Sequence, residues 1–205
     1  MSKIIDISLP LYPGMATYPN NPKVEITPIK GLTSTHSSIV MGSHSGTHID
    51  APSHIFPNGK TLDQIDLNVL IGSCRVLDFS HSQGSVTAEE LKKKNINSKE
   101  RILIKTGNSK RGFEKFYEDY VYLAGDGAEY LSEIGVSLVG IDSLSIKQKG
   151  SRDLRAHTSL LKNDIIIVEG LDLSRTEEGE YILYCLPLRL IDIDGSPARV
   201  ILLKQ

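Results

Sequence analysis

The sequence predicts a single α/β or α+β domain with a mixed β-sheet, and three observations support this prediction. The chain has 205 residues, a length that fits one domain. It contains eight short runs rich in isoleucine and valine and bounded by glycine, proline, aspartate or asparagine, a pattern typical of strands. Only three segments have the composition and end signals of helices, so strands are expected to outnumber them.

The eight strand-like runs are distributed along the whole chain. They cover residues 3–9, 23–28, 74–79, 101–106, 137–142, 164–169, 180–186 and 198–204. The run IIIV at residues 165–168 has no polar side chain, which indicates a strand buried on both faces. Cys74 and Cys185 lie within apolar runs, so we expect both to be buried free thiols.

Three helices are predicted from their ends. The first begins at Thr87, because Glu90 follows this N-cap by three residues and completes a capping box. The second covers residues 127–134 and takes Asp126 as its N-cap. The third is short and covers residues 155–162. Residues 9–21, with three prolines and a glycine, are expected to form an irregular N-terminal arm of a single domain over residues 1–205.

Composition and charge exclude several classes of function. Hydrophobic residues make up 40% and charged residues 23% of the chain, as in ordinary globular proteins. The formal net charge of −2 gives no electrostatic reason to expect nucleic acid or an anionic membrane as a partner. The opening MSKIIDISLPLYPGM resembles neither a signal peptide nor a membrane span, so a cytoplasmic location is expected.

The chemistry of the sequence is concentrated in HSGTHIDAPSH, residues 44–54. This segment holds half of the six histidines of the chain. Its candidate ligands are His44, His48, Asp50 and His54. Neutral imidazole and carboxylate groups suit Zn²⁺, Mn²⁺ or a similar divalent ion. Three protein ligands would leave a coordination position for water, as in catalytic rather than structural sites.

A regular strand or helix would not bring these side chains together. In a strand, His44 and His48 would lie roughly 13 Å apart, too far to share one ion. A helix would turn Asp50 away from them, and Gly46 and Pro52 oppose a helix. We therefore predict a bent segment in which Gly46 turns His44 back toward His48.

Two later residues also have the chemistry of metal ligands. His157 stands in RAHTSLL, and Glu169 follows the apolar run 165–168. A carboxylate at the end of a buried strand is unfavourable unless it is paired or liganded, and α/β sheets often bind ligands at that end. From the residues alone, Glu169 as an ordinary loop-edge residue and His54 as a surface histidine both remain alternatives.

The segment HSGTHIDAPSH resembles the HxGTHxDxPxH motif of the cyclase family of metal-dependent hydrolases. That family includes the bacterial kynurenine formamidases and isatin hydrolase. The resemblance continues through DISLPLYPGMATYPNNP, VSLVGIDSLSI, AHTSLLKNDIIIVEGLDL and LPLRLIDIDGSPARVILL, and so covers nearly the whole chain. It implies a swivelling β/β/α-type fold and assembly as a homodimer or homotetramer.

The resemblance also implies roles for the candidate residues. It implies two divalent metal ions per chain, zinc first and manganese as the alternative, with Asp50 bridging them. The implied metal ligands are His44, His48, Asp50, His157 and Glu169. His54 would remain off the metals as the general acid or base. The implied reaction is that of an arylformamidase, in which metal-activated water hydrolyses N-formylkynurenine to kynurenine and formate in tryptophan catabolism.

One departure from the family pattern keeps a second substrate class open. The kynurenine formamidases tend to carry tryptophan in the N-terminal arm, whereas this chain has none. Tyr18 takes the corresponding place as a candidate substrate-binding residue, since a phenol can also stack on an aryl ring. Hydrolysis of another small cyclic or acyl amide, as by isatin hydrolase, is therefore the alternative. A metal or ligand sensor without turnover is a further one.

Overall fold

The computed structural model of the protein describes residues 3–204. Within this range the strands are β1 (Lys3–Asp6), β2 (Glu25–Lys30), β3 (Thr35–Val40), β4 (His48–Asp50), β5 (Ile71–Asp78), β6 (Ser85–Val86), β7 (Arg101–Lys105), β8 (Tyr122–Leu123), β9 (Leu138–Ile141), β10 (Ile166–Glu169), β11 (Gly179–Pro187) and β12 (Gly195–Lys204). The α-helices are α1 (Leu67–Leu70), α2 (Ala88–Lys92), α3 (Asn108–Arg111), α4 (Gly125–Ile134) and α5 (Arg155–Leu161).

One mixed sheet organises the domain. Its strand order is β1-β12-β11-β5-β7-β9-β10-β4, and β4 also pairs with the first residues of β12. The strands from β12 round to β4 therefore close into a barrel-like ring, with β1 added outside it. β5, β7, β9 and β10 run parallel to one another, whereas β4, β11 and β12 are antiparallel to their neighbours. The predicted α+β domain with a mixed sheet is confirmed.

Alternating side chains of the parallel strands enter two apolar cores. Successive residues of a strand point to opposite faces, so Leu103 and Val168 join one core while Ile104 and Ile167 join the other. The first core also contains residues of β11 and β12, and the second packs against α4 and α5. Every residue of β10 is buried, which confirms the burial predicted for the run 165–168.

Some element boundaries differ from those that the sequence predicts. The strand expected over residues 23–28 lies two residues later, as β2, and pairs with β3. The segment THSSIV of β3 is mostly polar and entirely exposed, so it lacks the apolar pattern by which strands are recognised. β4 is similarly unmarked, because it has only three residues.

The helix ends are partly as predicted. The capping box at Thr87 is present: the carboxylate of Glu90 accepts from the Thr87 backbone N–H at 2.9 Å. The prediction of Asp126 as an N-cap is wrong, because α4 begins at Gly125 and Ala124 is its N-cap. Asp126 instead lies in the first turn, where a negative charge still interacts favourably with the helix dipole.

The N-terminal arm runs beside the histidine-rich segment. Residues 9–21, all within the described range, form neither helix nor strand. The Leu9 backbone N–H donates to the Thr47 hydroxyl at 2.8 Å, and the Asn21 side-chain amide donates to the His44 carbonyl at 3.2 Å.

Cys74 and Cys185 are buried and free. Among residues 3–204, no helix has the length and apolar character needed to cross a membrane.

Candidate metal centre

The register of β4 against β10 builds the floor of the site. Glu169 lies directly opposite His48 in this antiparallel pair, and directly opposite residues share a face of the sheet. Asp50 is two residues from His48 and shares that face as well. The intervening Ile49 points into the apolar core and is fully buried. Two carboxylates and one imidazole therefore project from adjacent strands into one buried space.

A bend brings His44 over this floor. Gly46 has a φ of 62°, in the left-handed region that favours glycine, and the chain turns there as the sequence predicts. The rings of His44 and His48 are 4.9 Å apart between centroids. Nδ1 of His44 lies 2.8 Å from Oδ1 of Asp50.

The remaining two histidines of the cluster are His54, at the end of the turn that begins at Pro52, and His157, on helix α5. Pro52 begins a single turn of 3-10 helix that ends at His54, and the His54 ring lies 4.2 Å from that of His44. From α5, Nε2 of His157 lies 3.6 Å from Oδ2 of Asp50 and 3.3 Å from Oε1 of Glu169. The structure thus brings together the six side chains predicted for the metal and proton-transfer roles.

Within each of the two carboxylates, the two oxygens face different histidines. Oδ1 of Asp50 faces His44 and lies 3.4 Å from Nε2 of His48, whereas Oδ2 faces His157. Oε2 of Glu169 lies 3.3 Å from Nε2 of His48, and Oε1 faces His157 and accepts from the Ile146 backbone N–H at 2.6 Å. Asp50 therefore lies between two groups of nitrogen donors.

The electrostatics of this cluster are dominated by its buried carboxylates. His48 and Asp50 are at most 1% exposed, and His157 and Glu169 are buried. Burial opposes charge on the imidazoles, but the nearby carboxylates of Asp50 and Glu169 attract the protonated rings and raise the pKa of His48 to about 10 and that of His157 to about 9. Burial also opposes ionisation of Asp50, yet the histidines hold its pKa well below the usual value. The carboxylates therefore require nearby positive charge, from protonated histidines or from a cation.

Two orphaned atoms indicate which kind of group fits this space. Nδ1 of His48 is 2.9 Å from the Gly46 carbonyl, so Nε2 is the nitrogen that faces the carboxylates. His48 Nε2 and Asp50 Oδ2 are both buried and lack a hydrogen-bond partner among residues 3–204. A buried polar atom without a partner is unfavourable, and a divalent metal would satisfy both atoms. The nitrogen and oxygen donor set suits zinc or manganese.

Asp194 is a member of the cluster that the sequence does not reveal. Its Oδ2 lies 2.8 Å from Nε2 of His44 and 3.4 Å from Nδ1 of His54. Partial burial opposes ionisation of Asp194, but these hydrogen bonds keep its pKa below the usual value. In the sequence it appears only as the first residue of an Asp-Gly pair, which is a common turn signal. Its contact with residues far away in the chain has no local signature.

Tyr18 lies beside the cluster within a group of aromatic side chains. Its ring meets that of Phe116 edge-on at 5.4 Å, and Phe116 meets Tyr120 in the same way at 5.8 Å. Burial and the nearby charge of Glu169 raise the pKa of Tyr18. The charge of Glu169, a carboxylate of the cluster, therefore influences the arm residue predicted to contact substrate.

Comparisons with known proteins found one matching family and several similar chains. The model of the putative cyclase family matches residues 5–148. Kynurenine formamidases of Bacillus cytotoxicus and Bacillus anthracis are each 36% identical over 205 residues, covering 98% of this chain and 97% of theirs. A solved structure described as a predicted metal-dependent hydrolase from Bacillus stearothermophilus has a TM-score of 0.91 at 34% identity, with 100% of both chains covered. A crystal structure of an isatin hydrolase with thioisatinate, 24% identical, shares the fold at a TM-score of 0.88 over 99% of this chain and 92% of its own.

Proposed function

Because the chain belongs to the putative cyclase family, we propose that it is a metal-dependent hydrolase of small amides and that N-formylkynurenine is its substrate. The observation that carries the proposal is the buried cluster in which His48 Nε2 and Asp50 Oδ2 lack partners among the described residues. The near full-length similarity to kynurenine formamidases supports the choice of substrate. An arylformamidase releases formate by hydrolysis of an acyl carbon–nitrogen bond.

We assign the ligands to two divalent ions. His44, His48 and Asp50 would hold the first, and Asp50, His157 and Glu169 would hold the second. The support for this assignment is that the two oxygens of Asp50 face different histidines. Zinc is our first choice because its usual ligands are histidine nitrogens and carboxylate oxygens, and manganese is the second. A bound ion of this type lowers the pKa of water and polarises a carbonyl group.

His54 is assigned the proton transfer. Its ring is 4.2 Å from that of His44 and 5.6 Å from that of His157, and its side chain is 30% exposed. It therefore borders the cluster and remains accessible to substrate. In hydrolysis the oxygen of water bonds to the carbonyl carbon and the carbon–nitrogen bond breaks. His54 would take the proton that water loses and pass it to the leaving nitrogen.

The aromatic group beside the cluster suits an aryl substrate. Tyr18, Phe116 and Tyr120 offer ring faces and edges, and the Lys149 ammonium lies 5.5 Å from the centre of the Phe116 ring. We assign Tyr18 to contact the aryl ring of the substrate. Since this chain has no tryptophan, a cyclic aryl amide such as isatin is the competing substrate.

Turnover with a matched pair of histidine variants tests the proposal. The zinc-loaded protein should hydrolyse N-formylkynurenine faster than simple aryl formamides or isatin, and a chelator should abolish this activity. His48→Ala should lose bound zinc and turnover together, whereas the control His81→Ala, in an exposed loop, should keep both. Bound metal without turnover of any amide would indicate a sensor, and preference for isatin would reassign the substrate.

We also propose that the chain forms a homodimer or homotetramer through the hairpin of β2 and β3. Every residue of both strands is exposed, including Ile29 and Ile39, and Leu32 at the tip is fully exposed. A two-stranded hairpin is marginally stable alone in water, and an exposed apolar patch is typical of an interface.

The surface area of the chain supports this assembly. The accessible surface is 10705 Å², whereas a compact monomer of 22.6 kDa is expected to have roughly 9,500 Å². The excess of about 1,200 Å² exceeds the roughly 800 Å² that each partner buries in a standard interface. Sedimentation analysis should show oligomers that Ile39→Lys dissociates and that the exposed control Leu67→Lys leaves intact. A monomeric unmodified protein would contradict the assembly.

A further inference from the structure

We propose that Asp194 is a positioning residue that holds the Nε2–H of His44 and determines which ring nitrogen of His54 carries the proton. The inference rests on the proposed function, because it concerns the residues assigned to metal binding and proton transfer. It concerns a carboxylate at the rim of the cluster, on the side of His44 opposite to Asp50.

One oxygen of Asp194 serves both rings. Oδ2 lies 2.8 Å from Nε2 of His44 and 3.4 Å from Nδ1 of His54, and the two rings are 4.2 Å apart. The shorter distance is that of a well-formed hydrogen bond. The longer one is typical of catalytic groups without substrate. Asp194 therefore links a metal-side imidazole to the imidazole that borders the substrate space.

The backbone holds Asp194 in this place. Its carbonyl accepts from the Ala51 backbone N–H at 2.9 Å, and the next residue, Gly195, pairs with Asp50 where β12 meets β4. A Cβ atom at Gly195 would lie 2.9 Å from Cε1 of His44. Only glycine therefore lets the His44 ring pack against the start of β12, with its Nε2 beside the Asp194 carboxylate.

The position of this carboxylate determines the protonation pattern. An ionised carboxylate only accepts hydrogen bonds, so each ring nitrogen that faces it carries a proton. For His44 the other nitrogen, Nδ1, lies 2.8 Å from the Asp50 carboxylate and carries a proton as well, until a metal ion takes its place. Asp194 then holds the remaining proton on Nε2, as the outer partners of metal-bound histidines do. For His54, a neutral imidazole has its lone pair on Nε2, which is left to exchange protons with substrate.

Two variants and a control in the same loop test the role of Asp194. Asp194→Ala removes the carboxylate, Asp194→Glu retains one, and Asp192→Ala removes an exposed carboxylate two residues away. Long-range ¹H–¹⁵N NMR of the histidine rings, in zinc-loaded protein, should show protons on His44 Nε2 and His54 Nδ1. Asp194→Glu and Asp192→Ala should keep this pattern, whereas Asp194→Ala should lose it for His54.

Kinetics and zinc content complete the test. Asp194→Ala should lower kcat by about 10–100-fold, the usual range for outer-shell partners, with KM little changed. Unchanged ring protonation in Asp194→Ala, or a loss of kcat no greater than that of Asp192→Ala, would overturn the inference. Loss of zinc at saturating zinc concentration would also overturn it, because Asp194 would then be a ligand. Since ring protonation is read without substrate, failure of the proposed reaction would be seen separately, as absence of turnover in the unmodified protein.

Discussion

Replacement of Gly170 by alanine should strain the backbone at the centre of the candidate metal site. Gly170 directly follows Glu169 and has a φ of 70°. Its carbonyl accepts from the Thr47 hydroxyl at 2.5 Å, so two segments cross here in direct contact. A Cβ atom at position 170 would overlap the carbonyl oxygen of Gly46 and lie 2.9 Å from its carbonyl carbon. These neighbours are backbone atoms, which cannot rotate away.

The expected loss of stability has two parts. A non-glycine residue in the left-handed region costs about 1–2 kcal/mol. Overpacking against neighbours that cannot move costs about 1–3 kcal/mol more. The sum of about 2–5 kcal/mol corresponds to a fall in Tm of about 4–20 °C for a chain of this length. Because Gly46 accepts from the His48 ring and Glu169 adjoins the substitution, zinc affinity should fall as well.

Gly84→Ala is the matched control. Gly84 has a φ of 75°, and no described atom lies within 4 Å of a Cβ placed on it. It should therefore lose only about 1–2 kcal/mol, through the left-handed conformation alone. Two measurements make the comparison. One is urea unfolding of both variants after zinc has been removed by a chelator, and the other is zinc titration of both variants in the folded state. If Gly170→Ala were as stable as Gly84→Ala and bound zinc as tightly as the unmodified protein, the proposed contact would be wrong.

Three further predictions concern the cluster itself. His54→Ala should retain its zinc and lose about 10²–10⁴-fold in kcat, measured beside metal analysis; a parallel loss of zinc would make His54 a ligand instead. Glu169→Ala should lower bound zinc from two ions per chain toward one, as measured by elemental analysis, and an unmodified protein with a single ion would contradict the binuclear assignment. In chelated protein, the free energy of unfolding should fall as pH rises from 6.5 to about 10. His48 and His157 have raised pKa values in the folded state, so over this range the folded chain still holds protons that the unfolded chain has lost. Their contribution is complete below pH 6.5, so a flat urea-unfolding profile between those limits would count against it.

Much of the fold could be predicted because its signals are local. The apolar run 165–168 and the capping box at Thr87 both appear where the sequence places them. β3 could not be predicted, because its strand conformation depends on pairing with β2 rather than on an apolar pattern. The choice of Asp126 as N-cap was wrong by two residues, since helix starts depend on backbone geometry that several neighbouring residues can adopt.

By itself, the sequence determined the chemistry of the site and the bend that gathers its first part. His44, His48 and Asp50 lie within seven residues, and only Gly46 was needed to turn them toward one another. Their donor atoms already indicate a divalent metal.

Only the tertiary structure decided what surrounds that segment. Glu169 reaches it because β4 pairs with β10 in one register, and a shift by one residue would turn Glu169 away from His48. His157 reaches it from α5, a helix that packs against β10. Asp194 meets His44 across 150 residues of chain, because the start of β12 pairs with β4 on its other edge. Such pairings depend on which strands become neighbours in the closed sheet, and local residue patterns do not indicate which strands those are.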